Sequence, residues 1–267
     1  MKKGYTFNMG DIVVSYFSCK DELDAVNREN CHDKYEIVYS LSSLGSCSVE
    51  GNEHILGSRT VLLIPPLSFH SHTLFDEENV EGYSVRFSKG VLWEKVLPML
   101  DKIIAGGQNK GVFYSQTMVS DALSDIFRRF DDASDLPEEE RHVFIEMLVG
   151  EAVLFLSCTD GKVVSDTDNE LGAKVVKYLN ANIEKGISLD GLAARFFVSK
   201  YHLCRAFKKY SGASVHSYIN QKRIMYAKQL IESGESASGA AERVGFGDYS
   251  AFYRAYVRIV GKSPTKE

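Results

Sequence analysis

The sequence lacks the features that mark membrane-spanning, secreted or disulfide-stabilised proteins. No apolar run approaches the ~20 residues that a helix needs to cross a bilayer. The N-terminus has no continuous apolar segment followed by a small-residue cleavage site. The five cysteines are odd in number and irregularly spaced, and no CxxC motif occurs. These absences favour reduced thiols over a disulfide framework or a zinc site, and they predict a cytoplasmic protein without a membrane partner.

Positive charge is scarce in the first part of the chain and abundant in the last. The net charge of the 267 residues is −5. Residues 170–267 carry 16 lysines and arginines against 8 acids, a net charge of +8, whereas residues 1–169 carry 15 against 28, a net charge of −13. A basic module on an acidic body favours a polyanion as partner. Two unrelated solvated surfaces would give the same split.

The first ~90 residues have the pattern of a β-rich domain. Segments 35–42, 59–66 and 81–88 are rich in β-branched and aromatic residues, and turn signals separate them. Short strands at this spacing predict a sandwich or barrel.

Helical spacing follows at 117–130 and 141–158, and Pro137 with three glutamates after it is a favourable helix start. The segment 141–158 is apolar around much of its circumference. It is therefore expected either to lie in a core or to pack against a second copy of itself.

Residues 161–169 (GKVVSDTDN) are polar and turn-rich, and we interpret them as a linker. Domain boundaries at 1–160 and 170–267 follow from this interpretation. Nearly everything after the linker is predicted to be helical. The predicted helices are 170–184, 188–196, 199–210, 215–232, 236–243 and 248–258.

Two of these helices are short and joined by a tight turn, which is the helix-turn-helix pattern. In the second helix, 199–210, Leu203, Ala206, Phe207 and Tyr210 share the face that is predicted to be buried. Ser199 stands where an N-cap belongs. The opposite face carries Tyr201, Cys204, Arg205 and Lys208, flanked by Lys200 and Lys209.

These side chains suit the major groove of DNA. Arg205 has the geometry for two parallel hydrogen bonds to guanine, and Tyr201 can pack on a thymine methyl group or a sugar. Lys208 and Lys209 are better placed for phosphates. A single such helix is almost as consistent with an ordinary solvated surface helix.

A second short helix, turn and basic helix occurs at 236–258. In it, Phe252, Ala255, Tyr256 and Ile259 share one face, and Ser250, Tyr253, Arg254 and Val257 face away. The helix 215–232 between the two units would be ~27 Å long at 1.5 Å per residue. Two recognition helices joined by such a rod can reach successive major-groove faces on one side of a duplex, about 34 Å apart.

The stretch SLDGLAARFFVSKYHLCRAFKKYSGASVHSYINQKRIMYAKQLI, followed by AERVGFGDYSAFYRAYVRIVGKSP, resembles the DNA-binding domain of the AraC/XylS family of bacterial transcription regulators. The resemblance covers residues 170–264. It implies base contacts near Tyr201, Cys204 and Arg205 in the first unit. In the second unit it implies contacts by Tyr249, Ser250, Tyr253 and Arg254. Gly247 departs from the family, which usually has a polar capping residue at this position.

Residues 15–90 resemble the effector-binding cupin domain that precedes the DNA-binding domain in many such regulators, and 117–158 resemble the family's dimerisation segment. The resemblance implies a barrel with an apolar ligand pocket and a few polar groups that orient the ligand. We name seven candidates in two groups: the polar His32, Glu36, His70, His72 and Arg86, and the stacking residues Tyr39 and Tyr83. Strand alternation means that they cannot all point inward.

The predicted architecture is α+β and multidomain: an N-terminal cupin-like β-barrel with dimerisation helices, then an all-α domain with two helix-turn-helix units. The predicted function is a ligand-responsive, sequence-specific transcription regulator that is not an enzyme. We expect double-stranded DNA, a small-molecule effector (a sugar is one class), a second copy of the chain and RNA polymerase as partners. No cofactor, metal or catalytic residue is predicted. The order of His70, His72 and Glu36 differs from that of metal-binding cupins.

Two alternatives stay open. One is a cupin-fold metal-dependent enzyme that carries a nucleic-acid tether. The other is a constitutive DNA-binding regulator whose barrel is purely structural.

Overall fold

A computed structural model describes residues 3–26, 31–76, 79–107, 110–161 and 171–265. The chain divides into two compact units. The first comprises residues 1–30 and 34–165, and the second comprises residues 31–33 and 166–267. Most of the predicted linker lies outside the described residues, so the domain boundaries stay predictions. None of the described helices is both long and apolar enough to cross a membrane.

The first unit is built on nine strands in the described part of the chain. They are β1 (Tyr5–Asn8), β2 (Ile12–Phe17), β3 (Tyr35–Ser40), β4 (Gly45–Val49), β5 (Asn52–Leu56), β6 (Thr60–Ile64), β7 (His70–Leu74), β8 (Gly82–Phe87) and β9 (Val112–Tyr114). Sheet A has the order β1-β2-β8-β3-β6-β9 and sheet B the order β5-β4-β7. The paired strands are antiparallel in both sheets. Instead of a closed barrel, the strands therefore form two separate sheets.

Four helices complete the first unit: α1 (Lys20–Val26), α2 (Leu97–Gly107), α3 (Asp121–Arg129) and α4 (Glu138–Ser157). Short 3-10 helices occur at Lys89–Val91 and Phe130–Asp135. The predicted strands at 35–42, 59–66 and 81–88 and the two predicted helices are confirmed. The sequence pattern had not indicated the other strands, β1, β2, β4, β5, β7 and β9, or the helices α1 and α2.

The inner strands of sheet A, β2, β8, β3 and β6, are mostly buried on both faces, and their side chains alternate between two cores. Along β3, Ile37 and Tyr39 point into a core that α2, α3 and α4 complete. Val38, between them, belongs to a second apolar cluster that also contains Cys47 and Val49 of sheet B. Alternation at a period of two residues thus separates a helix-facing side from a side that faces sheet B.

The second unit contains six helices among its described residues. They are α5 (Leu171–Ala181), α6 (Leu189–Arg195), α7 (Lys200–Ser211), α8 (Val215–Glu232), α9 (Ala237–Arg243) and α10 (Tyr249–Val260). All six predicted helices are confirmed to within a few residues. The long helix α8 forms the centre of this unit, since Tyr218, Ile224 and Ala227 are fully buried.

Candidate functional site

The first helix-turn-helix unit is α6 and α7, and each helix begins with a serine cap. The Ser188 hydroxyl accepts a hydrogen bond from the Gly191 N–H at 3.0 Å, and the Ser199 hydroxyl accepts one from the His202 N–H at 3.2 Å. Such caps satisfy backbone donors that a helix N-terminus leaves without partners. Ser199 therefore fixes the start of α7 and hence which side chains α7 presents.

The outward face of α7 is the one predicted from its phase. Leu203 and Phe207 are fully buried, whereas Ala206 and Tyr210 are only partly buried. Tyr201 is 76% exposed. The basic residues on this side, namely Lys200, Arg205, Lys208 and Lys209, are exposed, and Cys204 is partly exposed between them. The Lys200 ammonium lies 2.6 Å from an Asp190 carboxylate oxygen, so part of its charge is compensated within the unit.

The second unit, α9 and α10, repeats the arrangement with an acidic cap. The Asp248 carboxylate accepts hydrogen bonds from the N–H groups of Ser250 (3.2 Å) and Ala251 (2.8 Å). The cap that is absent at Gly247 is thus supplied one residue later. Phe252, Ala255 and Tyr256 are buried as predicted, and Ile259 is partly buried. The exposed side of α10 carries Tyr249, Ser250, Tyr253, Arg254 and also Arg258, which the sequence prediction had not included.

Arg223 of α8 is a positioning residue that the sequence prediction missed. Its guanidinium donates hydrogen bonds to the carbonyl oxygens of Ile183 (2.8 Å), Gly245 (2.9 Å) and Lys185. Partial burial lowers the pKa of this guanidinium. One side chain therefore joins the loop after α5 to the turn before α10. No periodic signal marks it, because its partners lie 22 to 40 residues away in the chain.

In the first unit, some of the predicted ligand-binding residues form a polar cluster between the two sheets, which we call the inter-sheet cluster. It contains Glu36, Ser84, Arg86, His70 and His72. The Glu36 carboxylate accepts a hydrogen bond from the Ser84 hydroxyl (2.5 Å) and lies 3.2 Å from His70 Nε2 and 3.9 Å from Arg86 Nε. Glu36 and His70 have donor atoms suited to a transition metal. Ser84 and Arg86 would compete for the same carboxylate.

Sheet B completes the cluster with His72 and Cys47. His72 Nε2 lies 3.7 Å from Cys47 Sγ. Burial and the nearby His70 lower the pKa of His72 to about 4, so its ring is neutral near pH 7. Burial and the Glu36 carboxylate raise the pKa of the Cys47 thiol. Both groups are therefore uncharged near neutral pH.

The two predicted stacking residues do not join the inter-sheet cluster. Tyr39 and Tyr83 lie on the opposite face of sheet A, where the Tyr39 and Phe127 rings stack with centroids 4.5 Å apart. His32 is buried, and one ligand atom from each of His32, Glu36 and His70 lies within 4.8 Å of the other two. Strand alternation thus separates the two predicted stacking residues from Glu36 and Arg86.

A cavity of about 500 Å³ lies on the helix-facing side of sheet A, and we call it the tyrosine cavity. Of the residues predicted to bind ligand, Tyr83 lines it. Its lining residues are Tyr16, Ser18, Leu41, Ser42, Asn79, Val80, Glu81, Tyr83, Arg128 and Asp131. Tyr16 donates a hydrogen bond to Glu81 at 2.6 Å, and Tyr83 donates one to Asp131 at 3.0 Å. The sequence pattern did not indicate this cavity, because β2 and the 3-10 helix that carries Asp131 were not predicted.

Two helix-turn-helix units in an all-helical unit, together with a β-rich unit that holds a cavity, define the class of DNA-binding regulators with an attached sensor domain. Comparisons with known proteins agree. A model of an AraC-like ligand binding domain matches residues 14–144, and a model of a helix-turn-helix domain matches residues 192–266.

Among curated relatives, the multiple antibiotic resistance protein MarA of Escherichia coli is 32% identical over 93 residues, which are 34% of this chain and 73% of MarA. The uncharacterized HTH-type transcriptional regulator YbfI of Bacillus subtilis is 24% identical over 224 residues, covering 82% of this chain and 78% of YbfI. The crystal structure of ToxT from Vibrio cholerae is 15% identical, covers 98% of this chain and 94% of that chain, and has a TM-score of 0.39.

The chain belongs to the AraC family of transcriptional regulators. It is a DNA-binding regulator with a ligand-binding domain.

Proposed function

We propose that α7 and α10 are the two recognition helices and that each enters a major groove of the same operator. The observation that carries this proposal is the equivalence of the two units. Each unit has a short helix, a turn with a left-handed residue, a capped second helix and an exposed face with tyrosine and arginine. Base readout then falls to Tyr201, Cys204 and Arg205 in the first unit, and to Tyr249, Ser250, Tyr253 and Arg254 in the second.

The exposed lysines have a different role in this proposal. Ser199 positions α7, and Lys200, Lys208 and Lys209 contact phosphates, where charge matters more than side-chain geometry. Because Lys200 is paired with Asp190, we expect it to contribute less than Lys208.

Arg205→Ala tests base readout. We expect a loss of about 1–3 kcal/mol in binding the cognate operator, and a much smaller loss on random DNA, because bidentate contacts to guanine depend on the sequence. Fluorescence anisotropy with both duplexes measures the difference. Equal losses on the two duplexes would remove Arg205 from base readout.

Lys208→Ala should weaken binding to both duplexes similarly and reduce the slope of log affinity against log salt by about one unit. Lys102→Ala, an exposed lysine of the first unit, is the control. It should change neither affinity nor slope.

The first unit is proposed to sense a small-molecule effector, for which sugars are one candidate class. A ligand changes transcription only if it binds two conformations of the regulator with different affinity. YbfI is named as a transcriptional regulator, which supports a cytoplasmic protein without catalytic activity of its own that acts through RNA polymerase.

We also propose that the protein is a homodimer and that α4 forms the contact. Several apolar residues of the segment that resembles the family's dimerisation helices, including Leu148, Val149 and Leu156, are fully buried within the first unit. The exposed apolar residues of α4 are Val143 (57% exposed), Met147 (48%) and Leu154 (40%). With the buried Gly150, where an added Cβ would meet no atom within 4 Å, they follow a 4-3-4 spacing, which is the spacing of a helix-pairing seam.

A further inference from the structure

Most hydrogen-bond donors in the lining of the tyrosine cavity already donate to acceptors within the protein. The Tyr16 hydroxyl donates to Glu81, and the hydroxyls of Tyr83 and Tyr5 both donate to Asp131, at 3.0 and 2.9 Å. The same holds for the smaller polar side chains that line the cavity.

The Ser42 hydroxyl donates to the Asn79 carbonyl oxygen at 2.7 Å, and the Asn79 amide donates to Asp76 at 2.8 Å. The Ser18 hydroxyl donates to Glu22 at 3.2 Å. A ligand would therefore meet mainly acceptors: carboxylates, each of which can accept several hydrogen bonds, and the lone pairs of phenol oxygens.

The charge of the lining also favours a positively charged ligand. Glu81 and Asp131 are both acidic, and Arg128 is the basic residue of the lining. Arg128 forms an ion pair with Asp125 at 3.1 Å, and its side chain is 64% exposed, so it is directed largely to solvent. Burial and these carboxylates raise the pKa of the Tyr16 and Tyr83 hydroxyls, which therefore stay protonated.

Aromatic rings provide the remaining part of such a site. The Tyr16 and Tyr83 rings pack with centroids 5.2 Å apart and an interplanar angle of 53°, and the two residues are 4% and 2% exposed, so they form an aromatic wall of the cavity. Cations bind favourably over the faces of aromatic rings, and nearby carboxylates strengthen the effect. A neutral polyol offers as many acceptors as donors, and this lining would leave many of its acceptors without a partner.

We propose that the tyrosine cavity binds an organic cation, a compound with a primary amine or guanidinium group, through Glu81, Asp131 and the rings of Tyr16 and Tyr83. The proposal rests on the proposed effector-sensing function of the first unit and names the chemical class of the ligand. In it, the site lies on the helix-facing side of sheet A and not in the inter-sheet cluster.

The test is calorimetric titration of the full-length protein with putrescine, spermidine and agmatine, and in parallel with the neutral sugars arabinose and glucose. We expect at least one of the amines to bind and the sugars not to bind. Glu81→Gln keeps the shape of the side chain but removes its charge, and it should weaken amine binding about tenfold or more. Glu53→Gln, at an exposed glutamate of β5, is the matched control and should leave the affinity unchanged.

Arg128→Ala distinguishes loss of the site from loss of the fold. Because it removes a positive charge from the rim, it should strengthen amine binding a few-fold, whereas damage to the fold would weaken it. Binding of sugars alone, binding of no compound, or equal amine affinity in wild type and Glu81→Gln would each overturn the proposal. DNA binding of the same preparations is measured separately, so a failure of the regulator function would show as loss of operator binding.

Discussion

The turns of the two helix-turn-helix units have the same backbone but different residues at the position that needs a left-handed conformation. Gly245 has φ +85°, and Phe197 has φ +56°. The hydrogen bonds correspond: Gly245 N–H donates to Glu242, as Phe197 N–H does to Ala194, and the next N–H in each turn donates to a carbonyl five residues earlier. Only one turn therefore has the residue that tolerates this conformation best.

The structure gives opposite expectations for two substitutions. In Gly245→Ala, the added Cβ would lie 2.6 Å from the Glu184 carbonyl oxygen and 3.0 Å from Arg223 Nη2. The left-handed conformation costs roughly 1–2 kcal/mol for a residue with a Cβ. Because the nearer clash is with backbone, we expect a total loss of about 2–4 kcal/mol in the free energy of unfolding of the second unit.

Phe197→Gly should be close to neutral. The Phe197 side chain is 93% exposed, so its removal loses little packing. Relief of the left-handed strain, roughly 1–2 kcal/mol, is partly offset by the greater freedom of glycine in the unfolded chain, roughly 0.5–1 kcal/mol. The net change should be between zero and about 1.5 kcal/mol of stabilisation.

The single tryptophan, Trp93, allows the two units to be followed separately in the full-length protein. Its fluorescence reports the first unit, whereas far-UV circular dichroism also follows the helices of the second. In urea, Gly245→Ala should shift the circular dichroism transition to lower concentration and leave the fluorescence transition in place. An unchanged circular dichroism transition in Gly245→Ala, or a loss of more than about 1 kcal/mol in Phe197→Gly, would refute this account of the turn.

Two further predictions concern the first unit. Leu154→Glu should shift the dimer to monomer in sedimentation equilibrium, because it places a charge in the exposed seam of α4. The control Ile55→Glu, at an apolar residue of β5 that is 54% exposed, should remain a dimer. Dimers in both variants would show that α4 does not form the interface. The pKa of His72 is about 4 in the folded protein against 6.5 for an ordinary histidine, so the unfolded chain takes up its proton first. The urea midpoint of the Trp93 fluorescence transition should therefore be constant above about pH 6.5 and fall as the pH falls towards 4. In His72→Gln the midpoint should depend less on pH. An equally steep pH dependence in His72→Gln would assign it to other groups.

The helical unit is the part that the sequence predicted best. Its helices are short, its caps are local and its hydrophobic periodicity is regular, so that Ser199 and the phase of Leu203 and Phe207 could be identified from a few neighbouring residues. Arg223 escaped prediction because its carbonyl partners come from distant loops. The sequence likewise did not show that Asp248 caps α10 instead of residue 247, because this depends on where the turn before α10 ends.

The β-rich unit was predicted less completely. The pattern indicated β3, β6 and β8, whose residues are mostly buried on both faces, but it did not indicate β1, β2, β9 or any strand of sheet B. Strand alternation implied that the seven candidate ligand-binding residues, which include Glu36 and Tyr39, could not all point to the same face. It could not show which face carried a cavity, because that depends on how helices pack on the sheet.

The sequence by itself determined the family, the two helix-turn-helix units and the side chains that each recognition helix exposes, because these features depend on neighbours within one or two helical turns. Only the tertiary structure decided that the exposed seam of α4 is Val143, Met147 and Leu154, and that Glu81 and Asp131 line a cavity with Tyr16 and Tyr83. The cavity brings together residues as far apart in the chain as Tyr16 and Asp131. Their proximity is fixed by sheet pairing and helix packing, which local patterns do not encode.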